Sequence, residues 1–228
     1  MSHTVHPYAH RLGILRDWKS RWFGARRQYH DYLKSDVLLR EYLEKRLRGF
    51  YVDAIEMERN ESSYRIIVKT ARPGMIIGRQ GEGIQKLRTD IVKTLRRIRL
   101  VNEPKDIKIE IEEVRSPETH AAVVAAMIAE SLEKRLPFRR VMKQTLEKVM
   151  ASREVRGAKI SLSGRLGGAE MSRHESLLKG QLPLQTLRAD IDFARERAHM
   201  GYGDIGIKVW IYKGEIFSGA KDRSEANR

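Results

Sequence analysis

Ala71-Arg72-Pro73-Gly74-Met75-Ile76-Ile77-Gly78-Arg79-Gln80-Gly81-Glu82-Gly83-Ile84 is dense in glycine, and from Ile84 the apolar residues Leu87, Ile91, Leu95 and Ile98 recur at helical spacing. The glycines therefore stand where a loop turns into an amphipathic helix. Gly78 and Gly81 flank two polar residues and remove Cβ atoms where another chain can approach the backbone; the first turn of the helix aims free N–H groups at the same place. Such a loop suits an anion. Before it, Tyr64, Ile66, Val68 and Thr70 alternate with Arg65 and Lys69; with Tyr51 to Glu58 and a turn at Asn60 to Ser63 this reads as a hairpin. Val37, Leu38, Tyr42 and Leu47 predict an earlier helix, capped by Ser35 or Asp36 and ended ahead of Gly49. Beyond the glycines, Ile107, Ile109 and Ile111 alternate with Lys108, Glu110 and Glu112, a strand with one buried face.

Lys and Arg outnumber Asp and Glu by 45 to 30 in 228 residues, a net charge of +15. A polyanion is the expected partner. The absence of cysteine excludes disulfide frameworks, thiolate zinc sites and cysteine nucleophiles. The glycine run does not complete G-x-x-x-x-G-K-[ST], and neither H-E-x-x-H nor G-x-S-x-G occurs, so no catalytic site is expected. His3, His6 and His10 have no convincing fourth ligand, so neither a metal nor a cofactor is expected. With no long apolar run at the N-terminus, the expected address is cytoplasmic, with no membrane partner.

Residues 1–35 read as a basic arm in which Trp18, Trp22 and Phe23 stand among Arg16, Lys19, Arg21, Arg26 and Arg27. Two readings stand side by side: rings and guanidinium groups stack on unpaired bases, or the aromatics fold back on the first domain. A boundary falls near Arg115, where Ser116 and Pro117 offer an N-cap and first residue for an Ala-rich helix reaching Arg135. Pro137 starts another. There Phe138, Val141, Met142, Thr145, Leu146, Val149 and Met150 form an apolar stripe, leaving Arg139, Arg140 and Lys143 off the buried face. Arg139 and Lys143 are a like-charge i,i+4 pair, so with Arg135 they make a basic stripe that calls for an anion. Cations spaced along a helix follow successive phosphates without reading bases. Strands are expected at 158–163, 170–178, 186–197 and 205–213, which with two helices gives an α+β domain with an antiparallel sheet. Ser163-Gly164-Arg165-Leu166-Gly167-Gly168-Ala169-Glu170 reads first as a turn, and alternatively as backbone lying close to RNA.

The segment Ile76 to Ile84 resembles the signature of the KH family of RNA-binding modules, and the helix ahead of the strands is similar to its type II topology. The resemblance implies that Gly78, Arg79, Gln80 and Gly81 take about four nucleotides of single strand. A wider resemblance runs over residues 2–216. Val5-His6-Pro7, Arg11-Leu12-Gly13, the glycine segment, Phe138-Arg139-Arg140 with Met142-Lys143, Ser163 to Glu170, Pro183-Leu184 with Thr186 to Asp192, and Tyr202-Gly203 with Gly206 to Glu215 are similar, in that order, to the family of bacterial small-subunit ribosomal protein three.

This resemblance implies an α+β chain: an arm over 1–35, a type II KH domain over 36–115, a two-helix, four-stranded antiparallel sheet domain over 116–216, and a polar tail over 217–228. It implies a structural constituent of the small-subunit head rather than an enzyme, bound to small-subunit rRNA and monomeric within the ribosome. Small-subunit proteins ten and fourteen are the implied neighbours. Residues matching Arg139, Arg140 and Lys143, joined by Arg135, are implied to face mRNA at its entry channel and to assist unwinding of structured messages. Gln144 departs from the pattern, where the family often has a further basic residue. Arg11, Arg16, Lys19, Arg21 and Arg165 are the expected rRNA contacts. The alternative is a free-standing KH-domain RNA chaperone. A lyase, an activity linked to eukaryotic relatives, needs an activated amine, and no lysine is singled out for that.

Overall fold

Two-residue alternation and helical periodicity set the elements of the computed structural model, which describes residues 5–60, 63–98 and 106–217, the side chains of residues 26 and 27 excepted. In chain order come α1 (Pro7–His10), β1 (Ser20–Trp22), α2 (Arg26–Arg46), β2 (Val52–Arg59), β3 (Ser63–Thr70), α3 (Pro73–Ile77), α4 (Glu82–Ile98) and β4 (Asp106–Glu113). Then follow α5 (Ala121–Glu133), α6 (Phe138–Ala151), β5 (Gly157–Gly164), β6 (Arg173–Gly180), β7 (Ala189–Met200) and β8 (Gly203–Glu215). They form two units: Trp18–Arg115, and the residues up to Asp17 together with those from Ser116 onward.

In the Trp18–Arg115 unit the sheet order is β1-β2-β3-β4, with β2 and β3 antiparallel and the outer pairs parallel. Alternate residues Ile55, Met57, Tyr64, Ile66, Val68 and Ile107 point to one side. There they meet Leu39 and Leu43 of α2, Leu87, Ile91 and Leu95 of α4, and Ile76. Each such side chain, fully buried, contributes roughly 1.5–3 kcal/mol. The expected cap at Ser35 or Asp36 is corrected, because α2 begins at Arg26 and carries both residues inside it, buried. Asp36 accepts from Trp22 Nε1 at 2.9 Å and from Tyr64 Oη at 2.8 Å; Ser35 Oγ donates to the Tyr32 carbonyl and accepts from Arg59. Burial and the neighbouring Asp36 carboxylate push the Tyr64 phenol well above its ordinary pKa. Tertiary partners thus claimed two residues whose local preference is for a helix start.

The second unit has sheet order β6-β5-β8-β7, antiparallel throughout. On one face Ile160, Leu162, Ile205, Ile207, Val209 and Ile211 pack against Val124, Ile128 and Leu132 of α5 and Val141, Met142, Leu146 and Val149 of α6. The long helix expected from Pro117 is corrected: Pro117–Thr119 is a 3-10 turn and α5 starts at Ala121. Its first N–H is capped from outside the helix by Asp192 Oδ2 of β7 at 2.7 Å. The single arm over 1–35 is also corrected, since the chain divides at Asp17. His3 and the tail over 218–228 lie outside the described residues.

Candidate RNA interface

The glycine loop is built by three glycines with different duties. Gly78, at φ 71° and ψ −177°, and Gly81, at φ 82°, hold backbone that L side chains rarely adopt, and between them Gln80 also has positive φ at 52°. Arg79 and Gln80 project from the loop, exposed, just ahead of the α4 N-terminus. Gly83 has a steric role that the spacing of Gly78 and Gly81 does not reveal: a Cβ there would stand 2.2 Å from the Ile76 carbonyl oxygen and 2.8 Å from that of Ile77. Only glycine lets α4 cross α3 so closely. Beside α4, Ile84 and Arg88 face Asp106, Ile107, Lys108, Ile109 and Glu110 of β4 across a cleft of about 450 Å³. The loop and this cleft follow one another along the same helix.

In the second unit the basic stripe sits where α5 hands over to α6. Arg135 has φ 60° in the connection, and Arg135, Arg139, Arg140 and Lys143 are all exposed. Two residues absent from the sequence reading complete the site. Glu175 on β6 reaches Arg139 at 3.5 Å and Arg173 at 3.8 Å, while the Arg139 and Arg173 guanidinium carbons lie 5.7 and 5.4 Å from the Phe138 ring centre. Register alone could have placed them, because Arg173 and Glu175 oppose Gly164 and Leu162, on the sheet face that carries the helices. The Ser163 to Glu170 block joins the same corner. Gly167 and Gly168 turn at φ 70° and 82°, and a Cβ on Gly167 would meet the Phe138 ring at 3.9 Å.

The expected rRNA contacts fare unequally. Arg11 is a correction: 1% exposed, it donates to the carbonyls of Ala189, Pro7, Leu184 and Thr186, so it is architecture and cannot reach RNA. Arg16 is bound to Asp190 at 2.7 Å, and Arg21 to Glu56 and Glu58 at 2.8 and 2.9 Å. Arg165 donates to the carbonyls of Ala169 and Tyr202, bracing its turn. Lys19 is exposed. The aromatic residues split between the two readings: Trp22 folds back on Asp36, Tyr29 and Tyr32, whereas Trp18 and Phe23 are 62% and 90% exposed. The Arg26 and Arg27 side chains lie outside the described residues.

The β2–β4 strands, extended by β1 at one edge, with α2 and α4 on one face and a glycine loop at the α4 N-terminus, define an RNA-binding protein of the KH class; a second α+β unit adds an exposed basic helix. Residues 38–119 match the KH domain family model, and residues 128–211 match that of the ribosomal protein S3 C-terminal domain. Over 222 residues, 97% of this chain and 93% of the relative, it is 45% identical to the small ribosomal subunit protein uS3 of Pseudomonas paraeruginosa. It is 42% identical over 225 residues, 99% of this chain and 98% of the relative, to that of Clostridium novyi. The chain belongs to the uS3 family of small ribosomal subunit proteins. It is accordingly a structural, RNA-binding, non-enzymatic protein of the small ribosomal subunit in the cytoplasm.

Proposed function

We propose that α6 with Arg135 lines the path of mRNA entering the small subunit, and that Arg139, Arg140 and Lys143 hold its phosphates while structured messages are opened. One observation carries this reading. The first turn of α6 has no side-chain cap and no acidic residue, yet it bears Arg139 and Arg140. Cations at a helix N-terminus oppose the macrodipole, each at a cost of about 0.3–1 kcal/mol. Among the described residues neither Arg140 nor Lys143 is ion-paired, so only Glu175, at Arg139, offsets the stripe from within. A helix that sacrifices stability in this way is arranged for an external anion. The exposed Arg79-Gln80 loop supports single-stranded RNA as the ligand of the KH unit. The family resemblance supports small-subunit proteins ten and fourteen as neighbours. A free RNA chaperone has no call for the second unit, which matches a ribosomal family model over residues 128–211.

The chain contains no cysteine, so Lys143→Cys creates a unique attachment point. With a photo-cross-linker there, programmed small subunits should yield cross-links to the message that shift by one codon when the ribosome steps. Cross-links to rRNA or protein alone would place α6 away from the message.

A further inference from the structure

The outer faces of the two sheets differ in charge, one mixed in sign and the other basic. In the Trp18–Arg115 unit the signs interleave: Arg21 pairs with Glu56 and Glu58, Arg65 with Glu58 and Glu110, and Lys69 with Glu56 and Glu112. That face is neutralised from within. In the second unit α5 and α6 cover one face of the β6-β5-β8-β7 sheet, and the register fixes what the opposite face carries. Lys159 on β5 is opposite Trp210, which is opposite Phe193; one row on, Lys208 on β8 is opposite Arg195 on β7, and Arg197 follows on the same side of β7. The other positions of these three rows are serine, glycine, leucine or histidine, with no carboxylate among them. Asp204, in the next row, is engaged by His199 at 2.7 Å.

Lys208 and Arg195 are both exposed and in direct cross-strand register. Like charges so placed are destabilising, and among the described residues neither they nor Lys159 are ion-paired. Instead the cations rest on an aromatic floor: Lys159 Nζ lies 5.4 Å from the Trp210 ring centre, Arg195 Cζ lies 5.3 Å from that of Phe193, and the two rings are 5.0 Å apart.

We propose that this open face of the β5–β8 sheet binds the ribosomal RNA backbone through Lys159, Arg195, Arg197 and Lys208. The inference rests on the ribosomal setting and is independent of the entry-channel reading for α6. Cations two residues apart on β7 are about 6.8 Å apart, comparable to successive phosphates on a strand, and cations on neighbouring strands widen the contact into a patch. An acidic protein partner fits less well. A protein interface needs a large apolar anchor at its centre; here Phe193 is buried, with the His6 ring edge-on to it at 4.7 Å, Trp210 is half-buried, and the exposed apolar residue of the row, Leu178, stands at its β6 edge.

Two measurements on the full chain test the proposal. Lys208→Gln with Arg195→Gln leaves the buried face untouched, and removing two phosphate contacts should flatten the log-log salt dependence of binding to small-subunit rRNA by roughly 1.4–1.8. In assembled subunits, an iron chelate on Lys208→Cys should cut rRNA close to that position. An unchanged slope with an intact fold, uncut rRNA, or cleavage of the message alone overturns the proposal. The Lys143→Cys cross-link reports separately on α6, so either reading can fail while the other stands.

Discussion

Replacing Arg11 with Met should destabilise the second unit by about 3–5 kcal/mol, because several carbonyls lose hydrogen bonds from a charged donor at once, each worth roughly 1.5–3 kcal/mol before relaxation. Met keeps much of the apolar stem but deletes every donor. The Ala189 carbonyl loses a bond of 2.6 Å and those of Pro7, Leu184 and Thr186 lose bonds of 3.0 Å. Buried carbonyls left unpaired cost roughly 1–3 kcal/mol each before relaxation. Three of the four lie on the segment that leads into β7, so the loss loosens that strand's entry as well. Burial lowers the Arg11 pKa, and Asp190 opposes the shift. Arg11→Lys should recover only part of the loss, because an ammonium lacks the planar fork that reaches several carbonyls at once. Urea unfolding of the full chain, followed by circular dichroism, reads both variants. A cost under about 1 kcal/mol for Arg11→Met would return Arg11 to the pool of available RNA contacts.

For Gly83→Ala, helix propensity alone expects a gain of about 1 kcal/mol, since the residue lies inside α4. The close crossing reverses the sign. A Cβ 2.2 Å from the Ile76 carbonyl oxygen forces backbone, not a flexible side chain, to move. The expected result is a loss of about 2 kcal/mol or more in the Trp18–Arg115 unit, together with weaker binding of single-stranded RNA. Gly81→Ala is the control: its Cβ would meet nothing within 4 Å, leaving only the cost of a side chain at φ 82°, about 1 kcal/mol. If Gly83→Ala proves the more stable protein in urea, the close packing of α4 on α3 is wrong.

How far the sequence was legible depended on whether a signal was local. Alternation at Tyr64 to Thr70 and Ile107 to Ile111 located β3 and β4, and the stripe from Val141 to Val149 gave the buried face of α6, because period and burial go together. Local polar signals misled. Ser35 and Asp36 look like a cap but are held by Trp22, Tyr64 and Arg59, and Ser116 looks like a cap although Asp192, far along the chain, supplies it. The arginines were the least legible. Composition cannot separate Arg11, consumed by carbonyls, from Arg140, which is exposed. That distinction, like the Glu175 link to Arg139 and the unmixed charge of the outer β5–β8 face, exists only once the strands are in register.

On the proposed reading, the α6 cations grip the message while a hairpin is opened. Arg139→Ala, Arg140→Ala and Lys143→Ala together leave Val141, Met142, Leu146 and Val149 in place and favour helix, so subunits should assemble normally. The decisive measurement is the time purified mutant ribosomes take to traverse a stable hairpin, compared with an unstructured message at the same salt. If α6 grips the message, the mutant should run at near wild-type speed on the unstructured message and slow markedly or stall at the hairpin. Equal speed through the hairpin for mutant and wild type would contradict it.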